Sequence, residues 1–308
     1  MPFQKMTQSK YPRRHWALVG YPRDGKSTFA ARMRGPLVAI DADQRFGEVL
    51  HLTNGDVYPV SENPADHTDP HLIVKRLDEN MPDTRVGTIV IDSLTAIIAP
   101  RVTAAIVAKE RGETKSLGAA FKDKALAMRE LQDGVTRWGT DTLWIYHLQD
   151  GRDDKGNART SATVSALELV RLTRSINMQL QVVKRDDGVR GIKIVWSRKG
   201  REGMTLWDES GTWANMPERI ESASYDGLTA ADMERKELGA PEMFPSPEIA
   251  VAWAIEQGAF ESANHARNAY DKLKTDTQPK SAREMAALWT ADVQRRIAEK
   301  TNPTGAGK

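Results

Sequence analysis

Gly20-Tyr21-Pro22-Arg23-Asp24-Gly25-Lys26-Ser27-Thr28 has the form G-x-x-x-x-G-K-[ST], and its reading decides the fold. The apolar run Trp16-Ala17-Leu18-Val19 leads into it and a helix-compatible stretch follows. Between a strand and a helix, Gly20 and Gly25 permit a tight turn in which backbone N–H groups converge on phosphate oxygens, with the positive end of the helix behind them. In this pattern Lys26 reaches the β- and γ-phosphates and Ser27 ligates magnesium. Gly20, Asp24, Gly25, Lys26, Ser27 and Thr28 are thus the expected binding set for ATP with magnesium. The competing reading, an ordinary glycine turn with an exposed lysine, leaves the flanking strand and helix unexplained.

Outward from the loop, apolar runs alternate with helical patterns. Strands are expected at 15–20, 37–41, 87–91 and 142–147, and helices near 26–34, 69–80, 95–110 and 117–138. That rhythm predicts an α/β fold with a mainly parallel sheet. Ile176 to Lys184, Gly191 to Ser197 and Met204 to Trp207 read as antiparallel strands added to one edge. Residues 1–14 form an arm, 15–217 the nucleotide-binding core and 218–245 a linker with Gly227, Gly239, Pro241 and Pro245. A three-helix module fills 246–300, opened by Ser246-Pro247 and interrupted at Gly258, and 301–308 form a disordered tail.

Composition narrows the chemistry. The 308 residues include no cysteine and six scattered histidines, which excludes disulfides, thiolate metal sites and an H-E-x-x-H centre. No apolar run is long enough to span a bilayer and no signal peptide is legible, so no membrane role and a cytoplasmic location, in a bacterial or phage-infected cell, are expected. The net charge is +2, but Leu148 to Glu202 holds 12 Lys/Arg against 7 Asp/Glu, whereas Glu218 to Lys308 holds 12 against 15. The basic surplus lies in the core, as a nucleic-acid partner requires, although solvated surfaces also carry such a surplus.

Val86-Gly87-Thr88-Ile89-Val90-Ile91-Asp92-Ser93 is a second nucleotide motif, a buried strand ending in an acid. In a parallel sheet this end lies beside the phosphate loop, where Asp92 can hold magnesium together with Ser27.

With Ala39-Ile40-Asp41-Ala42-Asp43, Thr142-Leu143-Trp144-Ile145-Tyr146-His147 and Ile192-Lys193-Ile194-Val195-Trp196-Ser197-Arg198-Lys199, the sequence resembles the RecA-like ATPases over roughly residues 15–217. The Ile-Tyr-His-Leu-Gln-Asp-Gly-Arg-Asp run at 145–153, the opening of the phosphate loop and the compact length resemble the bacteriophage Sak-four type of single-strand annealing and recombination ATPase. The resemblance implies that Asp43 orients the attacking water, in place of the usual glutamate. Asp41 and Glu48 are alternatives, and a helix cap competes as the role of Asp41 or Asp43. It implies that His147, or Gln149 on the same strand face, senses the γ-phosphate. Arg198 and Lys199 would complete a neighbouring protomer's site, with an exposed basic turn as the other reading.

The resemblance further implies two loops that grip single-stranded DNA. The first carries Lys109, Arg111 and Lys115; the second runs from Asp150 to Thr163 and carries Arg152, Lys155 and Arg159. Both also contain acids, and a plain surface loop remains the alternative for each. Expected partners are single-stranded DNA and further copies of the chain, as a filament or ring, with Phe3 and Met6 as a candidate insertion segment. A single-strand binding protein is a further candidate. The resulting function is a DNA-stimulated ATPase for recombination or annealing. A ring helicase or helicase loader, and a regulatory ATPase that does not act on DNA, are the competing functions.

Overall fold

The apolar runs flanking the phosphate loop become neighbours in one sheet. The computed structural model describes residues 9–114, 116, 121–152, 158–237, 244 and 246–301. Its strands are β1 (His15–Gly20), β2 (Leu37–Asp41), β3 (Val57–Pro59), β4 (Thr88–Asp92), β5 (Asp141–Arg152), β6 (Ala158–Ala162), β7 (Met178–Lys184), β8 (Arg190–Ser197) and β9 (Thr205–Trp207). The order is β3-β2-β4-β5-β1-β7-β8-β9, with β6 paired to β5. From β3 to β7 all pairs are parallel, while β8, β9 and β6 join antiparallel. This is the mainly parallel α/β sheet that the strand–helix rhythm predicts.

Central strands are apolar on both faces because both are covered. Trp16, Ala17, Leu18 and Val19 of β1 are buried, as are Ile89, Val90 and Ile91 of β4. The main helices are α1 (Lys26–Ala30), α2 (Pro70–Asn80), α3 (Leu94–Glu110) and α4 (Lys122–Thr136). Asp69 caps α2 by accepting the His71 and Leu72 N–H groups, with proline at the first helical position. Ser93 caps α3. α1 is shorter than the expected 26–34. After Ala30 the chain tightens, with Arg32 N–H bonded to Phe29 O and Met33 N–H to Ala30 O, and Arg34-Gly35-Pro36 then blocks helix continuation.

Three further differences from the sequence reading have identifiable causes. The expected polar loop 150–163 is mostly a β-hairpin, because β5 continues past its buried part and Asp150 pairs with Thr160, Gly151 with Arg159. Helix α5 (Ala166–Ser175) follows, opened by a capping box in which Ser165 and Glu168 serve each other's backbone. The expected linker is largely helical, since α6 (Met216–Tyr225) runs into it from the end of the core and α7 (Ala230–Glu237) lies within it, and the first of two compact units extends through α6 to Asp226. The anchor of α6 is ionic as well as apolar. Arg14, 2% exposed, donates to Glu221 at 2.6 Å and to Glu218 at 3.0 Å, while Ile220 and Tyr225 enter the core.

The second unit comprises Arg198–Gly200 and Gly227–Lys308. Its helices α8 (Pro247–Glu256), α9 (Ala263–Thr277) and α10 (Ala282–Thr301) surround the fully buried Trp289. Phe260 stacks on this indole at 5.6 Å, Tyr270 meets it edge-on at 5.1 Å, and its N–H donates to Ala250 O. Among the described residues no helix is long and apolar enough to cross a membrane.

Candidate functional site

The sheet order brings the two nucleotide motifs together. β5 lies between β1 and β4, so the loop after β1 and the acid ending β4 are one strand apart, and Gly20 pairs with His147 on the intervening strand. A cleft of about 550 Å³ opens here, lined in part by Gly25, Lys26, Ser27, Thr28, Asp43, Asp92 and His147.

The loop is held from within. Asp24, 3% exposed, accepts the Tyr21 N–H at 2.7 Å and pairs with Lys184 at 2.7 Å. Asp24 therefore braces the loop and does not line the cleft. Gly25 takes φ +80°, a backbone that glycine adopts without strain. Lys26 Nζ donates to the carbonyls of Gly20 at 3.0 Å and Tyr21 at 2.6 Å. Burial lowers its pKa, opposed by the carboxylates of Asp24, Asp92 and Asp43. The first N–H groups of α1 have no intrahelical acceptor and are available at the cleft.

Asp92 is 4% exposed and accepts a hydrogen bond from the Ser27 hydroxyl. Burial pushes its pKa up to about 6; Asp43 and Asp41 add to this, while Ser27 and Lys26 oppose it. A buried carboxylate and a hydroxyl side by side suit magnesium, which takes hard oxygen ligands. Among the described residues no cluster of three or more His, Cys, Asp or Glu exists to form a cage of protein ligands. Magnesium bound with nucleotide phosphates needs only one or two protein oxygens, and Ser27 and Asp92 are those that fit.

The three acids after β2 divide. Asp41 accepts the N–H groups of Arg45 at 3.0 Å and Phe46 at 2.9 Å, which caps the 3₁₀ turn Phe46–Leu52. Asp43 and Glu48 line the cleft instead, and the Asp43 N–H is bonded to Asp92 O. His147 is half-buried. Burial and the Lys26 charge lower its pKa, so the ring is neutral at pH 7. Its backbone N–H donates to Thr95 and its carbonyl accepts the Thr163 N–H and hydroxyl. Gln149 is exposed on the hairpin, opposite Ser161, and does not line the cleft.

The hairpin is tied to the phosphate loop. The Tyr21 hydroxyl donates to Asp150 at 2.6 Å and lies 3.1 Å from the Thr160 hydroxyl. Of the residues expected to meet DNA, Arg152 ends β5 and Arg159 lies in β6 opposite Gly151. Lys109 is in the last turn of α3 and Arg111 caps it, exposed and 3.9 Å from Glu113. Lys115 and Lys155, like Phe3 and Met6, lie outside the described residues. β8 runs antiparallel to β7 and ends at Ser197 beside the start of β1, away from the phosphate loop. Arg198 and Lys199 follow that end and do not line this cleft.

Two residues of the site escape sequence reading. Arg190, first in β8, lines the cleft, and Trp213 lies beneath it with its indole N–H on Gly25 O at 2.9 Å. Neither belongs to a motif. Arg190 reaches the loop because β7 and β8 are laid beside β1, and Trp213 comes from the segment after β9.

Fold and site together define an α/β core whose mainly parallel sheet sets a glycine-containing loop and a buried acid at one cleft. No protein-family model matches the sequence, and no curated protein matches it. Among solved structures the chain is similar to the RadB recombinase, at 14% identity over 64% of this chain and 87% of that one, with a TM-score of 0.38. It is also similar to a KaiC-like protein from Pyrococcus horikoshii OT3, at 13% identity over 66% of this chain and 87% of that one, again with a TM-score of 0.38.

Proposed function

We propose that this chain is a magnesium-dependent ATPase acting on single-stranded DNA in recombination or annealing, as the Sak-four resemblance implies, and that it works as an oligomer. The observation that carries the reading is the convergence of Lys26, Ser27, Asp43, Asp92 and His147 on one cleft whose loop is hydrogen-bonded, through Tyr21, to the β5–β6 hairpin.

Lys26, released from the carbonyls of Gly20 and Tyr21, supplies positive charge to phosphate oxygens. Asp92 and Ser27 would hold magnesium, which when bound would supply positive charge to the phosphates. Asp43, with Glu48 as the nearest alternative in the cleft, accepts the proton of the attacking water. His147, kept neutral, can donate one ring N–H to a phosphate oxygen without adding charge, and Thr163 links its backbone to the end of β6. Arg198 and Lys199 are assigned to a neighbouring copy's site, and Arg152, Lys155 and Arg159 to DNA.

Steady-state ATP hydrolysis, with and without single-stranded DNA at two salt concentrations, tests this. Stimulation that fades with salt supports the reading, since phosphate contacts release counterions. Equal rates with and without DNA favour a regulatory ATPase. Lys26→Ala must abolish turnover; an unchanged rate removes the phosphate-loop assignment.

A further inference from the structure

Among the described residues lining the cleft, Arg190 comes from the β7–β8 side, whereas Asp92 and His147 approach from β4 and β5, on the other side of β1. Its guanidinium is fixed by three contacts. Nη1 donates to Asp24 O at 3.3 Å, Nη2 donates to Gly211 O at 2.7 Å, and the guanidinium carbon lies 5.3 Å above the Trp213 ring. Trp213 is itself fully buried, bonded to Gly25 O and met edge-on by Phe29 at 6.0 Å. A Cβ placed on Gly25 would come within 2.2 Å of Nη1, so the guanidinium lies directly against the loop residue before Lys26.

These partners are two carbonyls and a ring face. Among the described residues no carboxylate pairs with Arg190. Backbone carbonyls orient a guanidinium without neutralising it, and five N–H donors exceed the two bonds made. A fixed, half-buried cation of this kind beside a phosphate loop calls for an anion.

We infer that Arg190 is a nucleotide-binding residue supplied in cis, pairing with a phosphate oxygen on the flank of the loop away from Asp92 and His147. The inference rests on the nucleotide-site reading above. Because that flank is opposite the residues that would handle the attacking water, the contact is made equally in the diphosphate and triphosphate states. It sets affinity and leaves the chemical step alone.

The test is equilibrium binding of fluorescent ATP and ADP analogues to the full chain with magnesium, comparing the parent, Arg190→Gln, Arg190→Lys and Lys26→Ala. Arg190→Gln keeps an amide donor for the Gly211 carbonyl and removes the charge. It is expected to weaken ATP and ADP alike by about tenfold or more, the size of one charge-assisted hydrogen bond, with the gap narrowing in high salt. Arg190→Lys retains the charge and is expected to fall between Arg190→Gln and the parent, which also guards against a folding defect in the glutamine variant. Unchanged affinity in Arg190→Gln overturns the inference, as does a loss confined to ATP, which would put the guanidinium on the terminal phosphate. If the parent binds neither nucleotide, the functional reading fails first; if the parent binds and only Lys26→Ala loses affinity, the Arg190 inference fails alone.

Discussion

Asp92→Asn should make the nucleotide-free protein more stable at neutral pH while removing its magnesium-dependent activity. The Asp92 carboxyl is 4% exposed and has Asp43 and Asp41 nearby, and its pKa rises from 3.8 to about 6 on folding. Between these values the folded protein keeps a proton that the unfolded chain has released, so stability falls as pH rises through that window. At 1.36 kcal/mol for each tenfold change in proton affinity, the loss approaches about 3 kcal/mol once the pH is well above 6. His147 works in the opposite sense, because its lowered pKa makes stability rise with pH near neutrality. The difference between parent and variant therefore isolates Asp92. The assay is urea unfolding by tryptophan fluorescence at pH 5, 6, 7 and 8, in chelator and without nucleotide. The parent should lose stability relative to Asp92→Asn across the series, and the variant should be more stable at pH 8 by up to about 3 kcal/mol. Parallel curves for the two proteins would refute the argument, for they would mean that Asp92 ionises in the fold at no cost.

Tyr21→Phe removes the hydroxyl that joins the loop to Asp150 and Thr160. Nucleotide affinity should hold while stimulation of hydrolysis by single-stranded DNA falls, as read by the ratio of rates with and without DNA. Gly134→Ala adds a methyl that would sit 2.4 Å from Val74 Cγ2, on the contact between α4 and α2. The helix-propensity gain of about 1 kcal/mol is outweighed by an overpacking cost of about 1–3 kcal/mol, so a net loss is expected in urea unfolding, relieved by Val74→Ala in the same chain. Arg14→Met leaves the buried Glu221 without its 2.6 Å partner and should cost on the order of 3–5 kcal/mol. Glu221→Gln added to it should restore part of that, because the buried carboxylate, left with only Arg34 at 4.0 Å, no longer carries a charge.

What could be read from the sequence divides along a physical line. The phosphate loop and the acid ending β4 were legible because each is a short segment whose covalent spacing sets its geometry, and a parallel sheet places both at one end. The resemblance points to Asp43 and keeps Asp41 as an alternative, and the residues alone do not choose between them. Both follow the same strand, and only the 3₁₀ turn at Phe46, which needs a cap for its first N–H groups, decides which carboxylate is used up. β6 stayed hidden because Ala158-Arg159-Thr160-Ser161-Ala162 has no apolar alternation; it pairs beyond the buried part of the sheet, where neither face is selected. α5, by contrast, carries a legible start in Ser165-x-x-Glu168. α6 resembled a linker because its burial depends on Glu221 meeting Arg14, a pairing between distant parts of the chain.

Arg190 marks the limit of motif reading and shows why the sheet edge matters to the site. Its neighbours in sequence, Gly188-Val189 and Gly191, suggest only a hairpin turn. Its chemistry comes from the order β1-β7-β8, which sets the first residue of β8 against Gly25, and from Trp213, which arrives from beyond β9 to carry the guanidinium. The antiparallel edge strands thus do more than extend the sheet. Gly25 has a second reason to be glycine, since a side chain there would be strained at φ +80° and would also displace the arginine. The two constraints are independent, because a conformation is tied to the loop and a clearance to the edge. A Gly25→Ala chain would therefore be expected to lose more nucleotide affinity than one in which Arg190 alone is replaced.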